Sequence, residues 1–201
     1  MRPTHLIDAL LPRFDATIVH EISVNAAPEA VFDAVRSMDF LTVRSPLITT
    51  LFTLRNAPGR ISRRLRGQLN PPPLPALRLA DLFDGTVEGE WVGLAEDRPH
   101  EIVFGAVGTV WQPTIRWHVV AAEDFASFSE PGYAMMAVAF ATEPTDRGAT
   151  ILSYEARTTT TDAHSKARFA RYWRLVRPFV RLIMRAALRT ARDQAERHAP
   201  Q

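Results

Sequence analysis

From Asp162 to about His198 the sequence keeps one helical period, and a helix of that length must lay an apolar side against something. At about 100° per residue, Phe169, Trp173, Val176, Val180, Ile183 and Ala187 share one face. Arg171, Arg174, Arg177, Arg181, Arg185, Arg189 and Arg192 share another. Asp162 stands where an N-cap belongs. Pro178 lies inside the periodic stretch and predicts a bend near Arg174, whose carbonyl its ring crowds.

The cover for that helix has to come from the preceding chain, which reads as strands. Ala16, Ile18, His20, Ile22 and Val24 alternate with Thr17, Val19, Glu21 and Ser23, the period of a half-buried strand. Further strands are expected near residues 86–95, 100–107, 114–121, 133–142 and 149–160. Turn signals at Asp97-Arg98-Pro99, Pro131-Gly132 and Asp146-Arg147-Gly148 separate several of them. Short connections between consecutive strands predict an antiparallel meander. Pro28 opens a helix striped by Val31, Phe32, Val35 and Met38, and Ser45-Pro46 starts a second one that Pro58-Gly59 stops. Residues 56–78 hold Pro71-Pro72-Pro73, Pro75 and several arginines without an acid, a flap-like loop.

The 201 residues bound one domain, and 46% hydrophobic with 23% charged residues allows a full core. There is no cysteine, which removes disulfides, thiolate metal sites and a cysteine nucleophile. The apolar stretch Leu6 to Leu11 is broken by Asp8 and followed by Pro12 and Arg13, too short for a secretory signal. No run approaches the roughly 18 apolar residues of a membrane span. A cytoplasmic protein without stable membrane insertion is the expectation.

Strand, two short helices, antiparallel strands and one long C-terminal helix is the element order of the helix-grip fold, an α+β architecture. The stretch ISVNAAPEAVFDAV at Ile22 to Val35 resembles the opening of START-like (SRPBCC) proteins. LLPRFD at Leu10 to Asp15, EIVFGAVGTVWQP at Glu101 to Pro113 and EPGYAMMAVAF at Glu130 to Phe140 are similar to one bacterial branch of that superfamily. RYWRLVRPFVRLIMRAALRTARDQAE at Arg171 to Glu196 belongs with them. The resemblance implies a single domain over residues 1–201, with a curved sheet wrapped around the last helix and a cavity between them. It implies little about chemistry, because the superfamily spans lipid carriers, hormone receptors, polyketide cyclases and dehydratases, and oxygenase domains.

No two of the six histidines lie three or four residues apart, and H-E-x-x-H is absent, so neither a metal nor any other cofactor is expected. Phe104-Gly105-Ala106-Val107-Gly108 lacks the third glycine and following helix of a nucleotide fingerprint, and reads as a strand bend under the helix. Alternation places the bulkier apolar side chains on the concave face. The expected pocket wall is Trp117, Met136, Val138, Phe140 and Tyr154 from the sheet, with Phe169, Trp173, Val176 and Val180 from the helix. His20 and Tyr154 are the polar members, candidates for orienting a ligand or for acid–base work. Glu155 and Arg157 fall on the opposite face and read as a surface ion pair.

Binding of a small hydrophobic ligand is the leading expectation. A cyclase- or dehydratase-like enzyme using His20 and Tyr154 is the alternative. A third reading, a membrane- or polyanion-associated scaffold, rests on the arginine face. The apolar face opposite those arginines must cover the sheet, which argues against lipid insertion, and a nucleic-acid partner is not expected.

Overall fold

The computed structural model describes residues 5–38, 78–84 and 90–198. Its elements are α1 (Leu6–Leu10), β1 (Ala16–Val24), α2 (Pro28–Ser37), α3 (Leu79–Phe83), β2 (Trp91–Asp97) and β3 (Glu101–Gly108). They are followed by β4 (Trp117–His118), α4 (Ala122–Phe125), β5 (Ala134–Pro144), β6 (Thr150–Thr160) and α5 (Ala163–His198). The strands form an open antiparallel sheet in the order β1-β6-β5-β3-β2, with β4 also paired to β3. The long helix packs across it, the expected α+β helix-grip arrangement. The helix expected from Ser45 lies outside the described residues, as does the proline-rich segment apart from Arg78.

Sequence and structure agree at the start of α5. Asp162 accepts hydrogen bonds from the Ser165 N–H at 2.9 Å and the Ser165 hydroxyl at 2.7 Å, so it caps the helix. It also accepts from the Gly132 N–H at 2.7 Å, fixing the turn before β5 to the start of α5. These bonds, led by the Ser165 hydroxyl, hold its pKa down at about 2. The β5–β6 hairpin turns at Gly148, whose φ of +77° only glycine takes without strain.

The strand expected over 114–121 shrinks to Trp117–His118. A loop closes first, the Thr109 N–H donating to the Arg116 carbonyl and the Arg116 N–H to the Thr109 hydroxyl, both at 3.0 Å. Beyond His118, Val119 is 78% exposed and α4 begins at Ala122.

The sheet is covered on both faces. On the concave side, Ile18, Ile102, Phe104, Val138, Phe140, Leu152 and Tyr154 pack with α2 and with Met184, Ala187, Leu188 and Ala191 of α5. On the convex side, Val103, Val107, Met135, Ala137 and Ala139 pack with Ile7 and Leu11 near α1 and with Phe125 of α4. Every residue of β3 is buried as a result. The small side chains of β5 leave room for this second layer. Gly105 does the same: a Cβ there would stand 2.8 Å from Leu94 Cδ1, 2.8 Å from the Met136 carbonyl oxygen and 2.9 Å from Phe125 Cε2. The glycine therefore serves the convex packing and is not a bend beneath the long helix.

Glu155 and Arg157 are on the convex face, as expected, but they are not a surface pair. Arg157 is 8% exposed. Its Nε lies 2.6 Å from Glu155, its Nη2 2.8 Å from Asp8, and its Nη1 donates to the Leu11 carbonyl at 3.2 Å. The guanidinium also lies over the Phe14 ring at 4.9 Å. Burial opposes its charge, but the two carboxylates outweigh it and raise the pKa. Glu101, 5% exposed, ties down the same N-terminal segment by accepting from the Leu6 and Ile7 N–H groups at 2.7 and 3.3 Å.

Candidate ligand site

The register sets four side chains in one row across the concave face. Ile102 pairs with Phe140, Phe140 with Tyr154 and Tyr154 with His20. Successive strands present these positions on the same side, so the row is continuous. Aromatic contacts extend it: the Phe140 and Tyr154 centroids are 4.2 Å apart, Phe104 and Phe140 6.4 Å, and Trp91 and Phe104 5.5 Å. Trp117 joins at 6.3 Å from Trp91. From the helix, Trp173 stacks on Phe169 at 5.6 Å.

The expected wall residues divide by burial. Val138, Phe140, Tyr154 and Phe169 are buried, whereas Trp117, Met136, Trp173, Val176 and Val180 are half-buried. Val138, Phe140 and Tyr154 lie in the central cluster with Trp173 and Val180 against them. Phe169 forms a second cluster with Val110 and Ala134, on which Met136 and Trp173 also pack. Val176 belongs to neither cluster. The buried line of α5 shifts from Phe169 to Met184, Leu188 and Ala191, a rotation that leaves Val176 and Ile183 at its side.

The two polar members differ in state. Burial pushes the Tyr154 phenol well above its ordinary pKa, and its hydroxyl has no hydrogen-bond partner among the described residues. His20 is half-buried, yet its Nε2 is closed off from solvent and has no hydrogen-bond partner among the described residues. Burial first, then the charges of Arg185 and Arg181, lower its pKa. Near neutral pH His20 is therefore an uncharged imidazole with one donor and one acceptor, beside a neutral phenol.

A concavity of about 390 Å³ opens between the start of β1 and the first turns of α5. Phe169, Ala170 and Trp173 give it an apolar floor, and Asp15, Lys166, Arg171 and Arg174 complete its lining. Asp15 lies 2.7 Å from Lys166 Nζ and accepts from the Thr160 N–H at 2.9 Å and hydroxyl at 2.6 Å. Burial would raise its pKa, but the bonds to Lys166 and Thr160 outweigh that and lower it. The Lys166 charge is thus matched, and Arg171 and Arg174 leave the mouth positive. Sequence reasoning found Phe169 and Trp173 but missed the rest of the lining. The signal was present in the helical spacing of Lys166, Ala170 and Arg174, which form one i, i+4 row.

Among the described residues no group of three or more His, Asp or Glu side chains is placed to hold a metal ion. No described helix is long and apolar enough to cross a membrane.

No family model matches the chain, and no curated protein matches it. Solved structures are. Protein Ms6760 from Mycobacterium smegmatis is 18% identical over 53% of this chain, which spans about half (49%) of that one, with a TM-score of 0.23. TTHA0849 from Thermus thermophilus is 10% identical, covering 92% of this chain and 100% of its own, with a TM-score of 0.30. CalU16 from Micromonospora echinospora is 14% identical over 90% of this chain and 84% of its own, with a TM-score of 0.26.

Proposed function

We propose that this chain is a START-like protein that binds a small apolar or amphipathic molecule against the first turns of α5, beside the start of β1. The observation that carries the proposal is the concavity beside α5, with its floor of Phe169, Ala170 and Trp173 and its arginine rim. Its volume falls within the range of small-molecule pockets, about 300–1,000 Å³. Apart from that concavity, the row across the concave sheet face ends in a His20 Nε2 that no described residue satisfies, as suits an atom meeting a ligand oxygen. An apolar body with a carboxylate or other polar oxygen fits this chemistry.

An anilinonaphthalene sulfonate dye tests the proposal. Saturable binding at one site, displaced by a long-chain or aromatic carboxylate and weakened by Trp173→Ala, is the expected result. Absence of saturable binding overturns it. Acid–base catalysis is the second reading, favoured by the cross-strand pairing of His20 with Tyr154. In that reading the neutral imidazole takes a proton from a carbon beside a ligand carbonyl, and the phenol donates a hydrogen bond to its oxygen. Loss of turnover in His20→Ala with an intact fold would separate it from binding alone.

A further inference from the structure

The outer side of α5 carries a second pattern that ligand binding does not use. From Ala163 to Arg192 the helix has no acid, the first being Asp193. Arg171, Arg174, Arg181, Arg185 and Arg189 are exposed, and none is within ion-pair distance of a carboxylate among the described residues. In their midst Leu175 is 72% exposed and Phe179 41% exposed. The apolar face read from the sequence was expected to cover the sheet and leave nothing for lipid, yet Leu175 and Phe179 lie outside that face.

One exposed leucine is ordinary. A leucine and a phenylalanine at i and i+4, bordered by unpaired arginines, form the pattern of a helix lying in a membrane interface. We propose that α5, from Arg171 to Arg189, docks this protein on an anionic lipid surface. Leu175 and Phe179 enter the headgroup–acyl boundary while the arginines meet lipid phosphates. Charge complementarity selects the anionic surface, and the exposed apolar pair distinguishes lipid from nucleic acid, whose phosphates would use the arginines alone. Arg171 and Arg174 belong both to this face and to the pocket lining, so docking brings the pocket mouth to the membrane. Docking itself needs no ligand in the pocket, so it is measured independently of the proposed binding function.

The test is sedimentation of the full chain with vesicles of phosphatidylcholine, alone or with one third phosphatidylglycerol. Binding is expected on the anionic vesicles at low salt, with release at high salt. Leu175→Ser combined with Phe179→Ser should lower partitioning roughly tenfold or more at an unchanged melting temperature. Arg174→Gln and Arg185→Gln should each lower it about fivefold. Absence of binding to anionic vesicles overturns the proposal, as does equal binding to neutral ones. Wild-type binding by the double serine variant also overturns it, because the arginines would then adsorb on the anionic surface with no apolar residue entering it.

Discussion

Replacing His20 by phenylalanine is expected to stabilise the protein. The imidazole Nε2 is closed off from solvent and meets no donor or acceptor among the described residues. Leaving a buried polar atom unsatisfied costs about 1–3 kcal/mol. The ring as a whole is half-buried, so roughly half of that, about 0.5–1.5 kcal/mol, is recoverable. For a domain of this size it corresponds to a rise of about 1–6 °C in melting temperature. The effect must also depend on pH. Burial, Arg185 and Arg181 lower the folded-state pKa of His20 from 6.5. The unfolded chain therefore takes up the proton first, and the wild type loses stability as pH falls below about 6.5 until the folded-state pKa is passed. His20→Phe lacks that loss, so its advantage should grow between about pH 7.5 and pH 5.5. Thermal unfolding at both pH values, alongside dye binding, reads the outcome. Destabilisation of the variant by about 1 kcal/mol or more refutes the reasoning, because it would show a satisfied structural imidazole. An advantage that does not change with pH refutes the electrostatic part.

Gly105→Ala should cost about 1–3 kcal/mol in chemical denaturation, since its Cβ meets a main-chain oxygen as well as Leu94 and Phe125; a neutral result would remove the close approach from the account. Arg157→Met should cost about 2–4 kcal/mol by stranding Glu155 and freeing the N-terminal segment, and protease cleavage before Ala16 should accelerate with it. Asp162→Ala should lower the melting temperature at neutral pH. The same substitution should flatten the acid limb, because a carboxylate with its pKa held at about 2 stabilises the fold above its ordinary pKa and loses that contribution as pH falls toward 2. An unchanged acid limb in that variant would show that the cap contributes nothing.

Alternation carried the sheet well where one face met the helix. β1, β5 and β6 lie within about two residues of their expected bounds, and the Asp162 cap is where side-chain chemistry put it. The convex layer was not legible in the same way. α1 and α4 are too short to show a helical period, and they cover the sheet through a few side chains such as Ile7 and Phe125. Their trace in the sequence was indirect: the unbroken apolar run Ile102 to Val107, and the small residues Ala137 and Ala139 opposite bulkier ones. Such a run marks a strand buried on both faces. Arg157 was misread for the same reason, since an alternating strand says which face a residue takes but not whether that face is covered. That Phe140 and Tyr154 share one face of the sheet was legible from alternation alone. The concavity was not, because Asp15 and Lys166 meet only after the sheet has brought β1 beside the start of α5.

Pro178 gives α5 an uneven mechanics. With no N–H at that residue, the Arg174 carbonyl has no i+4 partner, and the ladder is interrupted between the helix's two parts. The part beyond it is fastened along its length, with Met184, Ala187, Leu188, Ala191 and Ala195 buried and Glu196 accepting from the Asn25 N–H at 3.0 Å. The part before it buries only Ser165 and Phe169 and is held at its tip by the Asp162 cap and the Lys166–Asp15 pair. It is the more sparsely packed part of the helix, and every helical residue lining the concavity lies on it. Phe169 and Trp173 can therefore part from the sheet while the core beneath Met184 stays closed. Backbone amides from 163 to 177 should accordingly exchange with solvent through smaller openings than those from 184 to 195.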